Sequence, residues 1–158
     1  MNKVIFLIGP PASGKSTWRG KYLETMTHPT TVISSDDQIE AYALQHGLTY
    51  TEAFGKVDFE DIDRKIMQQF RMAVLFGDDV IIDRTNMKRN SRKYMMKIVP
   101  VTYQKHAVVF RVPRAELQRR LDARAKATGK VIPPEVVEDM LSSFVPPSPD
   151  EFDEIDYV

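Results

Sequence analysis

At 158 residues, with 42% hydrophobic and 28% charged side chains, the chain suits one compact domain whose core needs no disulfide or metal staple. It has no cysteine, which excludes a disulfide scaffold, a thiolate nucleophile and a cysteine-based zinc site. Its net charge of zero hides an asymmetry: residues 84–130 carry fourteen Lys/Arg against Glu116 and Asp122, a net of +12, between segments of −4 and −8.

In chain order, Lys3–Ile8 predicts a buried strand, since its apolar residues are continuous rather than alternating. This run is too short to span a bilayer and lacks the make-up of a signal peptide, so a cytosolic protein with no membrane partner is expected. Directly after it, "GPPASGKST" holds Gly9-x-x-x-x-Gly14-Lys15-Ser16, the P-loop pattern. Glycines let the backbone N–H groups wrap closely around phosphates, Lys15 reaches the β/γ-phosphates, and the Ser16 hydroxyl takes a position on Mg²⁺. Gly9, Ser13, Gly14, Lys15, Ser16 and Thr17 are therefore the candidate nucleotide-binding residues, for ATP or another NTP. A helix from Lys15 to about Met26 should aim its N-terminus at the anion. Trp18 and Arg19 are read as packing and solvating that helix, with no chemical role.

Thr31–Ser34 reads as a second strand, followed by "SSDDQIE". Two readings compete there. Ser34, Ser35 or Asp36 caps the next helix, or Asp36, at the C-terminal edge of the sheet, is a general base for an attacking hydroxyl. The neighbouring P-loop favours the second for Asp36, with Asp37 facing solvent or sharing the cap.

Asp58 is a candidate N-cap for a long helix in which Phe59, Ile62, Ile66, Phe70, Ala73 and Val74 recur at helical steps, with Gly77 placed to end it. Val80–Ile82 is the third strand, and "DRTN" follows it. Asp83 is a candidate holder of a magnesium-bound water, and Arg84, Thr85 and Asn86 are candidate contacts to an acceptor or braces for the P-loop. A plain polar turn is the competing reading.

A helix over Arg89–Ile98, a strand over Ala107–Val112 and helices over Arg114–Ala127 and Pro134–Phe144 complete the alternation of a parallel α/β sheet. Arg120 and Arg124, four apart, share one helix face and suit a basic lid, about residues 115–133, that supplies an arginine to the transition state. From Phe144 onward the chain reads as an extended strap with an acidic end. There Phe152, Ile155 and Tyr157 alternate with acids, as in an edge strand.

The nucleotide site leaves two broad classes, a phosphotransferase or a nucleotide switch or motor. No Asn-Lys-x-Asp base-reading motif of a small GTPase is present, and the chain is short for a motor. The +12 block reads either as solvated and internally paired helix faces or as a surface for a polyanion.

With these pieces the sequence resembles the P-loop 5′-polynucleotide kinases of bacteriophages, from the "GKSTW" continuation of the P-loop to the lid. The resemblance implies a single P-loop kinase domain over residues 1–158 that moves the ATP γ-phosphate to the 5′-hydroxyl of DNA or RNA with Mg²⁺. It places the general base on Asp36, the first residue of the Asp-Asp pair, and implies Lys15 and Arg124 as catalytic cations. "DRTN" matches the family's Asp/Thr/Asn turn, and Arg120 and Arg124 match its lid pair. The sequence departs from the family at Ile39, where those enzymes place an arginine that grips the acceptor. Its Arg124-to-Pro133 spacing is also longer, and no Asp-x-Asp-Gly-Thr phosphatase motif occurs. The wider small-kinase superfamily shares the P-loop, base and lid. A kinase of a small-molecule hydroxyl and a non-catalytic nucleotide-binding module are therefore the alternatives.

Overall fold

Strand β1 (Lys3–Ile8) lies in the middle of the sheet, and Val4 through Ile8 are each fully buried. The computed structural model describes residues 1–158. β2 (Thr30–Ile33), β3 (Asp79–Asp83), β4 (Gln104–Val109) and β5 (Glu154–Tyr157) complete a five-stranded, all-parallel sheet in the order β2-β3-β1-β4-β5. Helices α1 (Lys15–Thr25), α2 (Ser35–His46), α3 (Tyr50–Phe54), α4 (Phe59–Phe76), α5 (Arg89–Met96), α6 (Arg114–Thr128) and α7 (Pro134–Ser142) connect and cover it.

The two-residue period of β1 divides its side chains between two layers. Val4, Phe6 and Ile8 join the larger core with Ile66 and Phe70 of α4, Met95 of α5 and Phe152. Ile5 and Leu7 face the other way, onto Trp18, Tyr22 and Leu23 of α1. Full burial of a side chain such as Phe6 or Phe70 contributes roughly 1.5–3 kcal/mol. A smaller core of Ile39, Ala43, Ala53 and Ile62 ties α2, α3 and α4 together.

Most expected elements are present. Asp58 caps α4 by accepting from the Glu60 and Asp61 N–H groups, and Gly77 ends the helix in the left-handed conformation. β5 docks beside β4 as an edge strand, as the alternation of Phe152, Ile155 and Tyr157 with acids suggested. Two expectations need correcting. β4 runs over Gln104–Val109 rather than Ala107–Val112, because it opens on three polar residues, Gln104, Lys105 and His106, that carry no apolar signal. The five-residue α3, capped by Thr49, was not foreseen, since so short a helix has no periodicity and is held by tertiary contacts. No helix is long and apolar enough to cross a membrane.

Candidate active site

The C-terminal ends of β1, β2 and β3 open into a cleft of about 820 Å³. The P-loop forms its floor. Gly14 has φ +102°, which its lack of a Cβ permits, and Ala12 also sits at positive φ. A Cβ on Gly9 would lie 2.7 Å from Ser13 Oγ and 2.9 Å from Phe110 Cβ, so glycine is required for the loop to seat against Phe110, just beyond β4. Ser13 Oγ is buried and without a hydrogen-bond partner. A buried hydroxyl left unpaired costs about 1–3 kcal/mol, and phosphate oxygens in the cradle would satisfy it.

Lys15 Nζ donates to the carbonyls of Gly9 and Pro10, both at 2.7 Å. Burial pushes its pKa down to about 8, against the opposing pull of the Asp83 and Asp36 carboxylates, and Arg124 adds to the lowering.

The cap-or-base question at "SSDDQIE" has a geometric answer. Ser34 is the N-cap of α2, its Oγ accepting from the Asp37 N–H at 3.2 Å. The Asp36 side chain does no capping, lines the cleft, and accepts at Oδ1 from the Tyr50 hydroxyl at 2.6 Å. That phenol is raised above its ordinary pKa by burial and by its bond to Asp36. Asp37 is half-exposed and not idle, because the Arg19 guanidinium bridges it at 3.3 Å to Asp83 at 2.7 Å. Burial raises the Asp83 carboxyl, and Arg19 and Lys15 oppose that rise.

Arg19, read from the sequence as merely solvating α1, is therefore the organising cation of the acidic end. Only the fold brings Asp37 of α2 and Asp83 at the end of β3 within reach of α1. An arginine four residues after the P-loop lysine, projecting from the same face of α1, was the available signal.

Arg120 and Arg124 of α6 both line the cleft, and Arg120 Nη1 lies 3.4 Å from the Ala12 carbonyl of the P-loop. Beyond α6, Lys130 pairs with Glu40 of α2 and sits 4.6 Å from the Tyr50 ring centroid, while Thr51 Oγ1 donates to the Gly129 carbonyl. The lid end is thereby clasped to α2 and α3. Phe110, Arg111 and Val112, with Val158, line the opposite end.

Three predicted acceptor contacts lie outside the cleft. Asn86 is buried at φ +51°, and its Nδ2 donates to the carbonyls of Leu7, Ile82 and Arg84, so its turn points the amide into the molecule. The Thr85 carbonyl accepts from Gly9 N–H at 3.0 Å, which braces the P-loop from behind. Arg84 points toward Asp63 of α4 at 3.7 Å. Of "DRTN", only Asp83 lines the cleft.

Behind this turn lies a residue that sequence reasoning missed. Arg92 is fully buried, pairs through two nitrogens with Glu151 at 2.8 and 2.9 Å, and donates to the carbonyls of Asn86 and Val145. In the sequence it is one more member of the basic block.

Ile39 is also explained. It is 2% exposed, within the core formed by α2, α3 and α4. An arginine there would bury its guanidinium among Ala43, Ala53 and Ile62.

The cleft's donors are hard oxygens: the Ser16 hydroxyl and the Asp36, Asp37 and Asp83 carboxylates, with no sulfur or imidazole. That set suits Mg²⁺ rather than a softer metal.

Comparisons with known proteins agree with this fold. Transcription factor bHLH140 of Arabidopsis thaliana is 28% identical over 110 residues, 70% of this chain but 10% of that protein. A chain of the Pnkp1/Rnl/Hen1 RNA repair complex superposes with a TM-score of 0.73 at 25% identity, over 90% of this chain and 43% of that one. The chain thus spans less than half the length of either. A gluconokinase from Sinorhizobium meliloti 1021 superposes with a TM-score of 0.58 at 15% identity, over 99% of this chain and 81% of that one. The AAA-domain family model (AAA_33) matches residues 4–147, from β1 into the strap, and the chain belongs to that family of P-loop kinase-like proteins.

Proposed function

We propose that the protein is an ATP-dependent phosphotransferase that moves the γ-phosphoryl group to the 5′-hydroxyl of DNA or RNA. The observation that carries the reaction is the freed Asp36 carboxylate, released from capping by Ser34 and lining the same cleft as Lys15. Asp36 accepts the proton of the attacking hydroxyl. Lys15 and Arg124 hold and neutralise the γ-phosphoryl, which leaves ADP on the P-loop. Ser16 with Asp36 and Asp83, directly or through water, would hold Mg²⁺, which supplies further charge neutralisation to the transferring group. Arg120 steadies the lid on the loop, and Arg19 keeps Asp83 and Asp37 in place. The likeness to a chain of an RNA repair complex supports the polynucleotide acceptor.

A second reading, a kinase of a small-molecule hydroxyl, is favoured by one observation about charge. Eight of the fourteen cations in the basic block, Arg84, Lys88, Arg89, Arg92, Arg114, Arg119, Arg120 and Lys130, make ion pairs within the molecule. The block thus offers a polyanion much less than its +12 suggests. γ-Labelled ATP presented with 5′-hydroxyl oligo-DNA, oligo-RNA, gluconate and a panel of small alcohols separates the two. Labelled oligonucleotide is expected; label only on a small alcohol transfers the proposal to the second reading.

A further inference from the structure

Three aromatic rings form a row that starts at the Asp36 carboxylate and leaves the cleft. Tyr50, whose hydroxyl sits on Asp36, has its ring centroid 6.1 Å from that of Phe54. Phe54 meets Phe59 edge-to-face at 5.0 Å across the turn between α3 and α4. Phe59 then opens onto a second groove, of about 510 Å³, lined by Met67 and Tyr94, the cations Arg64 and Arg71 and the acids Glu60 and Asp63.

The small core beneath, of Ile39, Ala43, Ala53 and Ile62, is completed by Tyr50 and Val57, and neither Phe54 nor Phe59 belongs to it. Both phenylalanines are 49% exposed and Tyr94 is 44% exposed. A contiguous run of half-exposed rings forgoes burial that folding would otherwise reward, and such patches mark binding surfaces.

We propose that Phe54 and Phe59, reached past Tyr50, whose own ring is covered by Lys130, form a stacking track for the 5′-terminal nucleotides of a single-stranded acceptor. This inference rests on the 5′-hydroxyl kinase reading above. Continuity with the active site identifies the occupant. Anything that enters along the row must present a hydroxyl to Asp36 at its leading end and planar apolar groups behind it, and the unpaired 5′ end of a nucleic acid does so. A duplex end fits poorly, since its bases are already stacked on each other. The Tyr50 hydroxyl marks where the acceptor hydroxyl binds Asp36, and the Arg71 guanidinium lies where the strand emerges, Arg64 beside it being paired with Asp61. The track replaces, by stacking, the charged grip that Ile39 cannot provide, and it needs no large basic surface.

The test compares two acceptors, a mononucleotide with a free 5′-hydroxyl and a single-stranded tetranucleotide. Phe54→Ala and Phe59→Ala should each raise KM for the tetranucleotide roughly 5- to 100-fold with kcat retained, the range that loss of one base–aromatic stack implies. KM for the mononucleotide, too short to reach Phe54 and Phe59, should not move. Phe54→Leu and Phe59→Leu, which keep apolar bulk but lose the flat ring, should reproduce most of the effect and guard against misfolding as the cause. An equal change for both acceptors, or none for either, overturns the track while leaving the kinase reading intact. If the unsubstituted protein labels no 5′-hydroxyl nucleic acid, the kinase reading itself fails, and the track with it.

Discussion

Asp36 and Lys15 share one cleft but should respond differently to substitution. Asp36→Asn keeps an oxygen for the Tyr50 hydroxyl but cannot take a proton. Transfer should fall by about 10²–10⁴-fold while ATP affinity stays nearly intact, as single-turnover rates and equilibrium titration would measure. Comparable loss of both would demote Asp36 to a structural residue. Lys15 has its pKa lowered to about 8 by burial, so half of its ammonium has lost its proton at that pH. Phosphates favour the charged form, so nucleotide affinity should be flat below about pH 7, bend near pH 8 and fall by up to about tenfold per pH unit above it, with proton uptake on binding. Trp18, the single tryptophan, lines the cleft and gives a fluorescence readout. Lys15→Ala should lower affinity and abolish this pH slope together.

Among the elements, α5 and the strap are joined by a buried ion pair that no local pattern announces. Removing one partner of a buried pair leaves the other charged and unpaired, which typically costs 3–5 kcal/mol. Arg92→Met should therefore lower stability to urea by about that much, with Glu151 and the Asn86 and Val145 carbonyls left without their donor. A loss under about 0.5 kcal/mol, the surface norm, would show the pair to be dispensable.

The same elements show what could be read in advance. The ends of α4 were legible because Asp58 and Gly77 act through local backbone geometry. The P-loop was legible because its glycines meet a local steric need, seen at Gly9 and Gly14. The bridging role of Arg19 and the inward turn of Asn86 were not, since each depends on which strands become neighbours. The freedom of Asp36 was half legible: several residues competed for the cap, and only the fold shows that Ser34 takes it.

For the whole molecule, the decisive contact is the clasp between the end of the lid and the α2–α3 layer. Lys130 pairs with Glu40 and lies over the Tyr50 ring, so one ammonium joins the end of α6 to α2 and α3. Lys130→Ala should loosen the lid and speed nucleotide release in stopped-flow displacement, with little effect on the thermal midpoint. Unchanged release would mean that the Thr51–Gly129 contact suffices. Because lid and α3 are coupled, nucleotide and acceptor should also affect each other's affinity reciprocally.

The placement of β5 has a consequence for synthesis. Every other strand has left the ribosome before Glu154 is made, and until then the flank of β4 that pairs with Glu154–Tyr157 has no partner. An uncovered parallel edge is a template for pairing with another chain. The nascent protein therefore passes through a sticky interval that closes only when the acidic strap arrives.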